Sequence, residues 1–303
     1  MAGAEGAVGT VLARDGSAYR VLTPEGEVRA VLRGTLKTKG GIRVVVGDRV
    51  RLDGTDEVRG ITGIEDRHSL LQRRTPQGRG TRPVAANIDE VLVVTAGRDP
   101  APVPQLIDRL LVIAEANHLP AAVLVNKIDL DQGTGLTERF NKAGYRVIRI
   151  SLKTGQGLDE IRTHLAGRVT VVTGPSGVGK SSLVNAIQPG LRLRVGELSA
   201  KVARGRQTTV SAVMIPLTIG GYLVDTPGFS EVGLWGTEPR ELASCFPEMR
   251  AFLNTCRFQD CRHMTEPGCA VLLGVKEGKV APDRWESYRK LLEELESVPK
   301  DWE

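Results

Sequence analysis

The chain has 303 residues, of which 41% are hydrophobic and 25% are charged, and its formal net charge is +5 at neutral pH. This length allows two or three domains, and this composition excludes an intrinsically disordered chain. The basic excess is compatible with a polyanionic partner, although an ordinary basic enzyme would have the same net charge.

The sequence shows no sign of membrane insertion or export. No stretch approaches the roughly 18 apolar residues of a membrane span, and the first residues lack the basic start and apolar run of a secretory signal. We therefore expect a cytoplasmic protein without membrane contact. We also expect the protein to be a monomer.

Residues 1–66 contain five short runs of β-forming residues separated by glycine turns. Five strands in so short a segment predict a small closed barrel of the OB type with an RNA-binding role, although an SH3-like barrel would give the same pattern. The predicted strands are Val8–Leu12, Ala18–Leu22, Val28–Leu32, Arg43–Val46 and Arg49–Leu52.

Residues 67–85 differ from both neighbouring segments. Five arginines and no acidic residue occur between positions 67 and 82, together with Pro76, Gly78 and Gly80. This pattern predicts a basic, extended linker. It could be a solvated connection or an arm that contacts phosphates, because positive charge alone does not separate the two.

Residues 86–235 alternate short apolar runs with helical patterns, which predicts an α/β domain with a doubly wound, mostly parallel sheet. The predicted strands are Glu90–Val94, Ala121–Val125, Arg146–Ile150, Val169–Val172 and Gly221–Val224, and the predicted helices are Val103–Asn117, Leu158–Leu165 and Ser181–Ile187.

A glycine-rich segment after the strand Val169–Val172 matches Gly-x4-Gly-Lys-Ser, the pattern of a phosphate-binding loop. Its backbone N–H groups can wrap phosphates at the start of a helix. Lys180 should reach the β- and γ-phosphates, and the Ser181 hydroxyl should bind Mg²⁺. The predicted phosphate-binding residues are Gly174, Pro175, Ser176, Gly177, Val178, Gly179, Lys180, Ser181 and Ser182.

A second motif, Asn-Lys-Ile-Asp, follows the strand Ala121–Val125 and predicts guanine recognition. Asp129 can accept hydrogen bonds from the N1 and N2 protons of guanine, and adenine would leave this carboxylate unpaired. Asn126 is expected to brace neighbouring loops, and the stem of Lys127 to cover the base. The predicted nucleotide-binding residues of this motif and of a looser second base-contacting loop are Asn126, Lys127, Ile128, Asp129, Ser151 and Lys153.

The third motif begins at Asp225, which should hold Mg²⁺ through water, and ends at Gly228, whose N–H should sense the γ-phosphate. Phe229 follows, where Ras-like proteins have a water-orienting glutamine. Four upstream residues lie where a switch loop belongs. Either Thr208 or Thr209 could complete the Mg²⁺ shell, whereas Gln207 and Arg206 could orient water and neutralise charge, or only shape the loop.

The order of these motifs is unusual. The guanine motif precedes the phosphate loop, which precedes Asp225. Other GTPases begin with the phosphate loop and end with the base motif. The rotated order predicts a circularly permuted GTPase with bound GTP or GDP and Mg²⁺.

Residues 236–303 carry a compact cysteine and histidine cluster and a charged amphipathic segment, Asp283–Val298, that predicts a terminal helix. Three thiolates and one imidazole form a closed ligand set, which predicts one structural Zn²⁺, although chance clustering is the alternative. Cys245 is expected to be a buried free thiol. The predicted zinc ligands are Cys256, Cys261, His263 and Cys269.

Together these motifs resemble the small ribosomal subunit biogenesis GTPases of the RsgA (YjeQ) family, over nearly the whole chain. The resemblance is also carried by Val84–Asp89 and Gly233–Trp235. It implies GTP hydrolysis stimulated by the small ribosomal subunit, contacts with its rRNA and a late role in its maturation. Family members usually have histidine where this chain has Gln207, so a histidine-base mechanism is in doubt.

The sequence thus predicts a GTPase that acts as a checkpoint on the small subunit. One alternative is a permuted GTPase of large-subunit assembly, but such proteins typically lack the barrel and the zinc cluster. A second alternative is an RNA-binding scaffold with a slow or vestigial nucleotide site. Phe229 permits that alternative, whereas the intact Lys180, Ser181, Asp225 and Gly228 argue for turnover.

Overall fold

The computed structural model describes residues 7–34, 36, 43–54, 57–74, 81–188, 212–226, 234 and 237–297. These residues form an N-terminal barrel, a central α/β unit and a C-terminal helical region, which confirms the predicted fold class. None of the helices within these ranges has the length and apolar composition needed to span a bilayer.

The N-terminal barrel is a closed, five-stranded sheet in the order β1-β2-β3-β5-β4. Strands β3 and β5 are parallel, and the remaining neighbours are antiparallel. Its interior is filled by apolar side chains that include Val11, Val21, Val50 and Ile61. The strands are β1 (Val8–Asp15), β2 (Ala18–Thr23), β3 (Gly26–Leu32), β4 (Arg49–Asp53) and β5 (Val58–Ile64).

The prediction of a barrel strand at Arg43–Val46 was wrong. Arg43–Val46 makes only an isolated bridge from Val46 to Ala85, and the fifth strand is instead β5. The valines of this segment are apolar for another reason: Val44 packs in the barrel core, and Val46 packs in the core of the α/β unit. Gly60 and Gly63 weaken the strand pattern of β5 in the sequence.

The arginine-rich segment contains more structure than an extended linker. Its residues pair as an antiparallel ribbon of β6 (Leu70–Arg74) and β7 (Thr81–Ala86). Leu71 and Ala85 of this ribbon are fully buried in the core of the α/β unit. Arg67 donates to buried Asp48 at 2.6 and 2.8 Å, so this arginine stabilises the junction with the barrel.

The central sheet has six strands in the order β10-β9-β8-β11-β13-β12. All neighbours are parallel except β12, an antiparallel edge strand that the sequence did not predict. The central strands are buried on both faces, as their apolar runs predict. The strands are β8 (Glu90–Ala96), β9 (Ala121–Asn126), β10 (Arg146–Arg149), β11 (Val169–Thr173), β12 (Val213–Pro216) and β13 (Tyr222–Asp225).

Helices cover both faces of this sheet. On one face α1 and α2 pack against alternate residues such as Val91 and Val93, and the barrel adds Leu12 to the same core. On the other face α3 and α4 pack against Leu92 and Val94. The helices are α1 (Pro104–Ala116), α2 (Thr134–Lys142), α3 (Leu158–Leu165) and α4 (Lys180–Ile187), of which α2 is absent from the sequence prediction.

The C-terminal region packs on α1 through a separate apolar core. Phe246, Met249 and Leu291 are buried there together with Val112 of α1. The elements are 3₁₀ helices at Pro239–Cys245 and Pro247–Phe252, followed by α5 (Ala270–Lys276) and α6 (Pro282–Ser297). The terminal helix agrees with the predicted segment to within one residue at each end.

Candidate nucleotide site and metal centre

The glycine-rich loop connects β11 to α4 at the carboxyl edge of the sheet. Gly174, Gly177 and Gly179 all have positive φ, a backbone conformation that glycine adopts without a steric penalty. A Cβ atom on Gly174 would lie 2.0 Å from the Val94 carbonyl oxygen. The loop can therefore cross β8 only with glycine at this position.

Lys180 is the first residue of α4 and folds back over the loop. Its Nζ donates to the carbonyl oxygens of Gly174 and Pro175, both at 2.7 Å. Burial lowers the pKa of Lys180, and the negative charge of Asp225 acts in the opposite direction. The ammonium group is thus held inside the loop where a phosphate would replace the carbonyl contacts.

Asn126, at the end of β9, links two loops. Its Nδ2 donates to the Val178 carbonyl at 2.8 Å, and its Oδ1 accepts from the Leu152 N–H at 3.2 Å. A Cβ on Gly179 would lie 2.4 Å from the same Nδ2. The side chain therefore braces the phosphate loop against the loop after β10.

Asp129 is oriented by a neighbouring hydroxyl. Ser151 Oγ donates to Asp129 Oδ1 at 2.6 Å, and it accepts from the Thr154 N–H at 3.2 Å. Lys127 has a positive φ of 62°, and its Nζ donates to the Asp99 carbonyl. Both the Asp129 and the Lys127 side chains line the same cavity.

That cavity, with a volume of about 650 Å³, contains residues from both motifs. Its size is in the range of small-molecule and cofactor sites. The sequence analysis did not identify Leu130 and Leu152 as site residues. Each directly follows a predicted site residue, and that position is the signal that could have identified them. The lining residues are Asn126, Lys127, Asp129, Leu130, Leu152, Lys153, Ser176, Gly177, Gly179, Lys180, Ser181 and Ser182.

Asp225 ends β13 on the other side of Lys180. Both side chains line a small adjoining cavity whose remaining walls are apolar. Thr226 follows, and its buried Oγ1 has no hydrogen-bond partner within the described part of the chain. Arg206, Gln207, Thr208, Thr209, Gly228 and Phe229 lie outside the described residues.

The four candidate zinc ligands lie together in the C-terminal region. The ligand atoms of Cys256, Cys261, His263 and Cys269 are all within 4.8 Å of one another. His263 Nδ1 lies 3.5 Å from Cys256 Sγ and 3.4 Å from Cys269 Sγ. Tetrahedral zinc with bonds of about 2.0 to 2.3 Å requires separations of this order. The group therefore fits one zinc ion.

Hydrogen bonds around the cluster support metal binding. The Ala270 N–H donates to Cys256 Sγ at 3.3 Å, and the Leu272 N–H donates to Cys269 Sγ at 3.4 Å, as thiolate ligands require. Burial lowers the pKa of His263, which favours the neutral imidazole that binds metals.

Cys245 lies apart from this group, as predicted. It is a buried free cysteine, and burial raises the pKa of its thiol to about 11. Its Sγ contacts the Glu241 carbonyl at 3.6 Å. Cys245 is therefore a buried thiol outside the group of four candidate zinc ligands.

A parallel sheet with a phosphate loop at its carboxyl edge, and a guanine-type motif earlier in the chain but in the same cavity, defines a circularly permuted P-loop GTPase. The model of the RsgA GTPase family matches residues 64–235. The chain therefore belongs to the RsgA GTPase family.

Similar proteins cover nearly the whole chain. It is 48% identical over 297 residues to the small ribosomal subunit biogenesis GTPase RsgA of Gemmatimonas aurantiaca, covering 95% of this chain and 97% of that one. Identity to the protein of the same name from Moorella thermoacetica is 43% over 290 residues, again covering 95% and 97%.

Two solved structures share the whole architecture. YjeQ from Thermotoga maritima has a TM-score of 0.80 and 33% identity, covering 97% of this chain and 99% of that one. YloQ, described as a circularly permuted GTPase, has a TM-score of 0.77 and 29% identity, covering 97% and 96%. Both matches extend over the barrel, the α/β unit and the C-terminal region.

Proposed function

We propose that this GTPase binds the small ribosomal subunit and its rRNA, and that it hydrolyses GTP as a checkpoint in late maturation of that subunit. The observation that carries the nucleotide part is the cavity shared by Asp129 and Lys180. The partner is proposed from the relatives, whose names specify small ribosomal subunit biogenesis.

In this proposal the base lies against the Asn126–Asp129 loop. The Asp129 carboxylate, held by Ser151, accepts the N1 and N2 protons of guanine. Lys127 covers one face of the base, and residues 151–153 form the second base-contacting loop. Adenine would leave a hydrogen-bonding carboxylate unpaired, so guanine nucleotides are selected.

The triphosphate lies in the loop from Gly174 to Ser182. Lys180 exchanges its carbonyl contacts for the β- and γ-phosphates, and backbone N–H groups at the start of α4 complete the cradle. Ser181 and Asp225 are the residues that would hold Mg²⁺, which neutralises charge on the phosphates when bound. Gln207 would orient the attacking water, and Arg206 would neutralise developing charge. Thr208 or Thr209 would complete the Mg²⁺ shell, and the Gly228 N–H would sense the γ-phosphate.

Two states follow from these roles. GTP would order the switch loop and the Gly228 loop, and this state would favour binding to the subunit. Hydrolysis would release both loops. The barrel, the arginine-rich segment and a zinc-stabilised C-terminal region supply the contacts to rRNA. Aromatic residues make up only 4% of the chain, so contacts to phosphates and RNA shape should dominate.

The test is GTP hydrolysis with and without each isolated ribosomal subunit. We expect small subunits to stimulate turnover and large subunits to have little effect. A rate that small subunits leave unchanged would contradict the proposal, and selective stimulation by large subunits would favour the first alternative. Single-turnover hydrolysis by Gln207→Ala would separate an active site from a vestigial one, because only an active site loses rate.

A further inference from the structure

Phe258 is an exposed aromatic side chain in the zinc loop. It lies between the ligands Cys256 and Cys261, and 42% of its surface is accessible. The other large hydrophobic side chains exposed in the described ranges are aliphatic, namely Val58, Val103, Leu130 and Leu273. Singly exposed hydrophobic side chains are common, but an exposed aromatic ring offers a flat apolar face on which a partner can stack.

The loop holds this ring in a defined position. The Arg257 N–H donates to the Gly268 carbonyl at 3.0 Å, and the Cys261 N–H donates to the Phe258 carbonyl at 3.4 Å. Backbone hydrogen bonds therefore fix the chain on both sides of the ring. Because the loop is already ordered, stacking of a partner on Phe258 costs little entropy for ordering it.

Arg257 places a guanidinium over the same ring, with Cζ 5.5 Å from the ring centroid. No carboxylate among the described residues lies within ion-pair distance of Arg257. Neighbouring arginines of the region are paired instead: Arg250 with Glu115, Arg262 with Glu296, Arg284 with Asp108 and Glu248, and Arg289 with Glu286 and Glu293.

We propose that Arg257 and Phe258 form a stacking platform for one unpaired nucleobase of single-stranded RNA. The ring offers a face to the base, and the guanidinium can stack beside it or contact the adjoining phosphate. This inference rests on the proposed function, because it names the contact that the C-terminal region makes with rRNA.

Charge in the loop argues that stacking is the main contribution of this platform to the affinity for RNA. Asp260 lies in the same loop, and the charge of Arg262 is balanced by Glu296. One available guanidinium can replace only about one counterion, so this loop should contribute only about −0.7 or less to the slope of log affinity against log salt. A broad phosphate-binding surface would give a steeper slope.

The experiment measures binding of a short single-stranded RNA that contains 2-aminopurine, whose fluorescence decreases on stacking. With the full-length, zinc-loaded protein we expect quenching, and Phe258→Ala should weaken binding about tenfold. Phe258→Trp should retain binding, whereas Phe258→Leu should behave like Phe258→Ala. The matched control is Leu273→Ala, which removes another exposed apolar side chain of the region and should change nothing.

The platform is overturned if the wild-type protein fails to quench the probe, if Phe258→Ala binds as tightly as wild type, or if Phe258→Leu restores binding. Restoration by leucine would indicate an apolar protein contact. Unchanged zinc content in each variant shows that the loop is intact. Stimulation of wild-type hydrolysis by small subunits tests the proposed function separately, so failure of the platform and failure of the proposed function are distinguishable.

Discussion

Asp129, which we propose to recognise guanine, illustrates how a neighbouring residue orients a single side chain. The Ser151 hydroxyl donates to one carboxylate oxygen at 2.6 Å, which sets the direction of the other oxygen. A carboxylate that is oriented before binding gives a higher affinity than a free one, because less entropy is lost on binding. The base motif alone indicated Asp129, but the contact with Ser151 depends on the packing of β9 beside β10.

Asp129→Ala should weaken GDP binding by at least about a hundredfold, since two hydrogen bonds to a charged group contribute roughly 1.5 to 3 kcal/mol each. Ser151→Ala should cost about fivefold, because it removes only the orienting bond. Isothermal titration with GDP and ADP measures both effects. Asp159→Ala removes an exposed carboxylate of α3 and should leave GDP affinity unchanged; equal losses in Asp129→Ala and Asp159→Ala would refute the assignment.

Gly179→Ala should abolish detectable GDP binding, because a Cβ at this position would lie 2.4 Å from the Asn126 side chain and the backbone φ is +104°. The comparison is Gly167→Ala, which has φ +73° and no atom within 4 Å of the added Cβ. That variant should bind GDP normally and lose only about 1 to 2 kcal/mol of stability from left-handed strain. GDP affinity measures the effect on binding, and chemical denaturation measures the effect on stability. Normal GDP binding by Gly179→Ala would contradict the role of the contact between Asn126 and the phosphate loop.

At the scale of elements, local patterns predicted most helices and strands but not their pairing partners. The strands of the central sheet were predicted because buried parallel strands are continuously apolar. The pattern was misleading at Arg43–Val46, whose valines are buried at a junction between two cores. The ribbon β6–β7 was missed because its arginines obscured the buried Leu71.

Cys256, Cys261, His263 and Cys269 could bind one zinc ion, and the loop that contains them would then depend on that ion for its structure. Purified protein should contain one zinc per chain, and Cys261→Ser should lose it, because three ligands bind zinc less tightly than four. The control is Cys245→Ala, which removes a cysteine outside the cluster and should retain one zinc. Zinc is measured by atomic emission, and loss of the metal in the control would show that the ligand set is wrong.

At the scale of the whole molecule, a buried ion cluster joins the C-terminal region to the α/β unit. Arg284 of α6 donates to Asp108 of α1 at 2.6 Å and to Glu248 at 2.5 and 3.1 Å. Arg139 of α2 contacts the same Asp108 at 2.6 Å. Burial alone would lower the pKa of Arg284, but Asp108 and Glu248 outweigh burial and raise it. Helix α2, which follows the guanine motif, is thereby tied to the C-terminal region.

Arg284→Met should destabilise the protein by about 3 to 5 kcal/mol, since it leaves the buried carboxylate of Asp108 without one of its two partners. Adding Asp108→Asn should recover part of this loss. Arg289→Met removes an arginine from an exposed helical pair on the same helix and should have little effect. Urea denaturation followed by fluorescence measures each variant, and equal midpoints for Arg284→Met and wild type would disprove the role of the cluster.

The sequence by itself indicated the GTPase class and a group of residues that could bind zinc, because the phosphate, guanine and Cys₃His motifs are residue types at short spacings along the chain. It also indicated the permuted order, which is a property of the chain and not of its folding. The tertiary structure alone decided that Asn126 braces Gly179, that Ser151 orients Asp129, that β5 closes the barrel and that Arg284 reaches Asp108. These contacts join residues from separate elements, and their distances depend on packing between strands and helices that no local pattern encodes.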